Sequence, residues 1–224
     1  MSVNKILAQL KQLKNPANVA GMARFGINPK NTLGISIPTL RKMAKEIGTD
    51  HDLALDLWQS GIHEARILAS MIDDPARVTR AQIERWVKDF DSWDVCDQVC
   101  MNLFERTPFA YRQAIEWSKR KEEFVRRAGF ALMACLAWHD KEAKDAAFLK
   151  FMPAIKRGAT DDRNFVRKAV NWALRNIGKR NRALNRAAIQ TAREIQRLDS
   201  KTARWVANDA LRELTSSRVQ TKLR

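Results

Sequence analysis

Cysteine and histidine are scarce in this 224-residue chain, with three of each. Nowhere do about eighteen apolar residues run together, so no segment is built to span a bilayer as a helix. Cys96, Cys100 and Cys135 are odd in number and contain no C-x-x-C pair. That disfavours a disulfide or zinc framework and suits a reduced, cytoplasmic protein. Cys96 and Cys100 lie one helical turn apart and read as packing residues. His51, His63 and His139 are scattered without metal-ligand spacing, so they read as structural or surface side chains, and no metal or cofactor is expected. The N-terminus, MSVNKILAQLKQLKN, is interrupted by polar residues and lacks the apolar core of a secretion signal. Low-complexity linkers are absent too. One domain over residues 1–224 is therefore expected, with 216–224, poor in apolar side chains, as a frayed tail.

Positive charge, by contrast, is abundant. The chain carries 41 Lys+Arg against 25 Asp+Glu, a net of +16. Residues 1–112 hold 15 basic and 13 acidic residues, whereas residues 113–224 hold 26 and 12. Such asymmetry points to nucleic acid or another anionic surface bound mainly by the second half. A charge serving solubility alone is the blander alternative. It fits poorly with cations that avoid the first half and are interleaved with Trp172 and Trp205.

Helical periodicity dominates, as in Ile6, Leu10 and Leu13, or Phe130, Met133 and Leu136. Breaks fall at Asn15-Pro16, Gly48-Thr49, Asp73-Asp74-Pro75, Thr107-Pro108 and Gly158–Asp162. Only Asn31–Pro38, NTLGISIP, looks extended, and Pro38 suits the first turn of a following helix. Phe124-Val-Arg-Arg-Ala128 recurs 41 residues later as Phe165-Val-Arg-Lys-Ala169. A period near forty built on helix pairs predicts an all-α, right-handed curved superhelix of antiparallel HEAT-like helix pairs. Such solenoids present a concave face that suits an extended ligand, here a basic groove.

The candidate chemistry lies in Trp93-Asp-Val-Cys-Asp97. Four residues turn a helix through about 400°, so Trp93 and Asp97 share one face. An indole beside a carboxylate can stack on a sugar or base and stabilise positive charge developing nearby. The same spacing also serves a core Trp beside a capping or ion-paired Asp. In the second half, Lys168 and Trp172 share a helical face, and Lys168 takes the place of Arg127 in the echo. A guanidinium grips phosphate with two parallel bonds, whereas Lys supplies a point charge. Arg127 pairing with Glu122 or Glu123, and Trp172 as core, are the structural alternatives.

Several strings in order carry a family likeness: Met22-Ala-Arg-Phe25, Leu33-Gly-Ile35, Pro38, Arg41, Ser92-Trp-Asp-Val-Cys-Asp97, Phe124-Val-Arg-Arg-Ala128, and Lys168-Ala-Val-Asn-Trp-Ala-Leu-Arg175. Over most of its length the chain resembles the AlkD-type DNA alkylation repair glycosylases, which are built from HEAT-like repeats. The resemblance implies that Asp97 is the catalytic carboxylate, Trp93 and Trp172 the groove tryptophans, and Arg127 the phosphate-gripping arginine. It places Phe25 where the family has a hydroxyl-bearing Tyr near the DNA, so that hydroxyl is lost here. Arg24, Lys156, Arg157, Arg163, Lys168, Lys179, Arg180 and Arg204 complete the cations expected to hold phosphates. The implied function is hydrolysis of the N-glycosidic bond of cationic alkylpurines (3-methyladenine, 7-methylguanine) in double-stranded DNA, without a base-flipping pocket. The implied protein is a bacterial, cytoplasmic monomer acting in base excision repair. Two rivals share the basic surface: a non-catalytic HEAT-like protein that reads DNA shape, and a protein-interaction scaffold.

Overall fold

A computed structural model describes residues 2–223, and every regular element among them is a helix. The chain divides at Thr107–Pro108 into two compact units. The first holds α1 (Val3–Gln12), α2 (Pro16–Arg24), α3 (Ile37–Ile47), α4 (His51–Gln59), α5 (His63–Ile72), α6 (Arg80–Trp86) and α7 (Trp93–Asn102), with 3-10 turns at Val87–Asp89 and Phe104–Arg106. The second holds α8 (Ala110–Trp117), α9 (Glu123–His139), α10 (Asp145–Leu149) and α11 (Met152–Gly158). It continues through α12 (Asn164–Gly178), α13 (Arg182–Gln196), α14 (Lys201–Leu214) and α15 (Ser217–Gln220).

Several helix starts are capped by side chains. Asn15 accepts the Asn18 amide at 3.1 Å, Asp50 that of Leu53 at 3.0 Å, and Asn181 that of Leu184 at 2.8 Å. Each satisfies one of the amides a helix start leaves without a partner. Pro16 and Pro38 sit in first turns, where a missing N–H costs nothing.

In the first unit, the Trp58 and Trp86 rings stack at 3.9 Å and 5°, with Phe90 and Phe104 tilted beside them. The extended segment is held from within. Glu64, 1% exposed at the start of α5, accepts the amides of Leu33 (2.8 Å), Gly34 (2.6 Å) and Ile35 (3.2 Å). Gly34 has φ +79°, and a Cβ there would stand 2.4 Å from the Asn15 carbonyl oxygen. Only glycine fits that position without strain.

The second unit is organised around α9, which packs against α8 and α12. The 41-residue echo is structural. Phe124 and Phe165 each stand second in their helix, and their rings stack at 5.8 Å. Val125 and Val166, and Ala128 and Ala169, are buried in matching register. Side-chain-to-backbone bonds then lace the helices together. Asn176 donates to the Ala134 carbonyl at 3.1 Å, and Asn171 to that of Val206 at 3.1 Å.

The C-terminal segment, expected as a frayed tail, carries regular structure. Ser217–Gln220 forms a turn of helix, Gln220 donates to Asn185 Oδ1 at 3.1 Å and to the Leu214 carbonyl, and Leu223 is buried. Arg224, the last residue of that segment, lies outside the described residues.

Candidate functional site

α7 has a strictly divided surface. Val95, Cys96, Val99 and Cys100 face the core at 0–1% exposure, while Trp93, Asp94, Asp97 and Gln98 are only partly covered. Trp93 and Asp97 thus share the open side of α7, one turn apart, and neither belongs to the core. The start of α7 is pinned by the segment after α2. The Trp93 indole N–H donates to the Phe25 carbonyl at 3.0 Å. The Asn28 amide donates to Ser92 Oγ at 2.8 Å, and the Asn28 side chain donates to Asp91 at 2.7 Å. These bonds fix the indole plane and leave the Phe25 ring 73% exposed. Phe25, Trp93, Met22 and Ile35 line an open apolar hollow of about 520 Å³.

A buried ion pair supports the same helix from below. His63 Nε2 lies 2.8 Å from Asp94 Oδ2, and both side chains are largely covered. Burial alone would depress the imidazole, but Asp94, then Glu64 and Asp91, outweigh it, so His63 titrates above its ordinary value. The second Asp94 oxygen, Oδ1, is buried with no hydrogen-bond partner among the described residues. His51 makes the corresponding pair with Asp73 at 2.6 Å, where burial pushes the Asp73 carboxyl up. Reading His51 and His63 as structural side chains thus matches where they lie. The tie from His63 to the candidate catalytic helix had no sequence signal, since 31 residues separate the partners.

In the second unit, Lys168, Trp172 and Arg175 fall at i, i+4 and i+7 on α12 and form one stripe, continued by Lys179 at the helix C-cap. The opposite face, Val166, Ala169, Val170, Ala173, Leu174 and Ile177, is fully buried. Lys168 is exposed and Trp172 partly exposed. Arg175 and Lys179 both reach Glu213, at 2.7 and 2.8 Å. Burial would raise the Glu213 carboxyl, yet these two cations hold it below the usual range.

The cations expected to hold phosphate sort into three groups. Arg24, Arg157 and Lys168 are exposed, with no ion pair among the described residues. Lys156 pairs with Glu194 at 2.9 Å and Arg204 with Asp199 at 3.7 Å, both on the surface. Such pairs are weak enough for a phosphate to displace. Arg163, Lys179 and Arg180 are built into the unit. Arg163 grips Asp161 with two nitrogens and the Lys121 carbonyl with a third. Arg180 donates to the Ala137 carbonyl at 2.8 Å and lies 4.0 Å over the Phe148 ring.

Arg127 departs most from the reading of an open phosphate clamp. It is 5% exposed, and its Nη1 donates to the Phe165 carbonyl. Its echo partner Lys168 is exposed at the same helical register. The difference is coverage: the start of α12 lies over Arg127. The Glu122 carboxylate, offered as a partner for Arg127, is instead held by Arg120 at 2.7 Å. Its carboxyl is lowered to about 2, first by that hydrogen bond.

These features belong to a recognisable lineage. Residues 6–214 match the family model described as DNA alkylation repair enzyme. The chain belongs to that family. No curated protein sequence matches it. One similar solved structure is described as "a new family of proteins related to the HEAT-like repeat DNA glycosylases with affinity for branched DNA structures". It shares 19% identity over 95% of each chain with a TM-score of 0.76, which shows the HEAT-like repeat fold. An engineered protein (13% identity, 80% of this chain and 91% of that one, TM-score 0.42) is more distant. So is a designed armadillo repeat protein (13%, 82% and 87%, 0.41). This family member therefore pairs an all-helical repeat fold with an indole–carboxylate face on α7 and an indole–cation stripe on α12.

Proposed function

We propose that this DNA alkylation repair family member is a DNA glycosylase that hydrolyses the N-glycosidic bond of cationic alkylpurines in duplex DNA, 3-methyladenine and 7-methylguanine among them. The observation that carries the reading is the open face of α7, where Trp93 and Asp97 stand one turn apart while Val95, Cys96, Val99 and Cys100 on the other face are core. A purine methylated on a ring nitrogen departs as a neutral base, so the reaction needs no general acid. It needs negative charge beside the oxocarbenium-like sugar and a positioned water, and one carboxylate supplies both. Asp97 takes that role. The Trp93 indole, locked by its bond to Phe25, packs on the deoxyribose and excludes water, which strengthens the Asp97 field. Trp172 is assigned the same kind of stacking contact, and Lys168, Arg157 and Arg24 are assigned to phosphates. Arg127 becomes a positioning residue that seats α12 and, through it, Lys168 and Trp172.

A second reading is favoured by one comparison. The solved relative with affinity for branched DNA structures is described as related to the glycosylases, not as one of them. Under it the chain binds DNA by charge and shape and releases no base. Release of 7-methylguanine from methylated duplex separates the two. Wild type releases the base, and Asp97→Asn loses roughly 100-fold or more in single-turnover rate while binding the same duplex equally well. Wild-type rates in Asp97→Asn would remove the carboxylate from the mechanism, and no release by wild type would establish the shape-reading alternative.

A further inference from the structure

The second unit carries an indole that neither its core nor the α12 stripe uses. Trp138 is the penultimate residue of α9, twelve of whose 17 residues are buried, yet its own side chain is 56% exposed. Leaving so large an apolar ring in water is unfavourable, and tryptophan is enriched at interfaces, where its apolar body and polar N–H both find partners. The ring is also fixed in place. Lys141 Nζ lies 5.5 Å above its centroid and donates to the Trp138 carbonyl.

Two hollows meet at this indole, sharing Trp138 and Lys179 in their walls. One, of about 340 Å³, is ringed by Lys141, Lys144, Lys179 and Arg180. Its single carboxylate, Asp145, already accepts from Asn181 Nδ2 at 2.8 Å. Arg180 is held rigidly by the Ala137 carbonyl and the Phe148 ring, and its buried Nε finds no acceptor among the described residues. The other, of about 420 Å³, adds the aliphatic Val219 and Leu223 flanked by Arg218 and Lys222. Its carboxylate, Glu213, is taken by Lys179. A flat π surface, an apolar wall and a cluster of cations around uncommitted space together match a nucleotide with base and phosphate both accessible. Both hollows are of ligand-binding size.

We propose that this cleft binds an unpaired nucleotide of a DNA strand, its base stacked on Trp138 and its phosphate held by Lys141 and Lys144. A base inside a duplex has no free face to offer, so the ligand is a single-stranded or frayed segment. The cleft is continuous with the DNA-contacting stripe. Lys179, the C-cap of α12, is the eleventh residue after Lys168, about 16 Å along the helix axis. A strand touching Lys168 and Trp172 reaches the cleft by running along that stripe. The inference rests on the DNA-binding reading above and extends it to DNA with unpaired nucleotides beside the duplex.

The test uses the full chain and two labelled probes, a blunt duplex and the same duplex with a short oligothymidine extension. Wild type is expected to bind the extended duplex about tenfold more tightly, the scale set by base–aromatic stacking. Trp138→Ala abolishes that preference and leaves blunt-duplex affinity and base excision from it unchanged; Trp138→Phe retains most of it. Lys144→Ala lowers the salt dependence for the extended probe alone, by about 0.7 in log–log slope. Equal wild-type affinity for the two probes overturns the proposal, as does a preference that survives Trp138→Ala. A mononucleotide that competes as well as the extension would overturn it in favour of a small-ligand site. Failure of wild type to bind either probe would instead bring down the DNA reading itself.

Discussion

At the scale of single residues, buried polar groups have the clearest consequences. The Glu64 carboxylate closes three amides of the Leu33-Gly34-Ile35 segment while itself almost fully buried. Glu64→Ala strands those amides away from water, and each buried unsatisfied donor costs about 1–3 kcal/mol. The expected loss is about 3 kcal/mol or more, read from denaturant midpoints at unchanged m-value. Glu64→Gln, which keeps one acceptor oxygen, is expected to recover part of it. Equal destabilisation by both variants would show that volume, not hydrogen bonding, sets the cost. Arg127 follows the same logic in the second unit. Arg127→Ala leaves the Phe165 carbonyl without its guanidinium donor, at a cost of about 1–3 kcal/mol. A residue that gripped phosphate would instead lower the salt slope of DNA binding at unchanged stability, so melting and salt titration of one variant decide between the roles. The sequence showed Arg127 in register with Lys168 but not which of the two the next helix would cover, because coverage is a tertiary fact.

At the scale of elements, α7 and α5 are joined by the His63–Asp94 pair, and that joint is sensitive to pH. His63 is raised in the folded protein above its ordinary value of 6.5. A raised basic group contributes stability that is complete below the unfolded value and is lost as pH rises through the folded one. The melting temperature is therefore expected to fall as pH climbs from about 6 through the neutral range. His63→Gln, which cannot take up the proton, should flatten that dependence; identical pH profiles for variant and wild type would assign the effect to other groups. Local signals made many of the elements themselves legible. The Asn15-Pro16 break announced a helix start because capping is chemistry between residues three apart. The Phe124 and Phe165 strings announced the α9–α12 stack because both copies bury the same positions. The clamp from Phe25 and Asn28 onto Ser92 and Trp93 had no such signal: its partners are 64 and 68 residues apart and ordinary in type. On α7, the 3.6-residue period put Trp93 and Asp97 on one face, but core packing decided that this face stays open.

At the scale of the whole molecule, charge is the dominant feature. Residues 108–224 carry 27 Lys+Arg against 12 Asp+Glu, whereas residues 1–107 carry 14 against 13. Composition alone counted these cations as equivalent. In the structure several are consumed by Asp161 and Glu213 or by backbone carbonyls. Counterion release distinguishes the remainder, since each phosphate neutralised contributes about 0.9 to the slope of log K against log salt on duplex DNA. Lys168→Ala and Arg157→Ala, both exposed and without an ion pair, are each expected to reduce the slope by about that amount and to add when combined. Arg163→Ala should leave the slope intact and lower stability, because its guanidinium is committed to Asp161 and the Lys121 carbonyl. If instead all three variants reduced the slope alike, affinity would come from the diffuse field of the basic half rather than from placed contacts. The stripe on α12 would then lose its claim to register DNA, since a diffuse field attracts a strand without fixing where the Trp172 indole meets it.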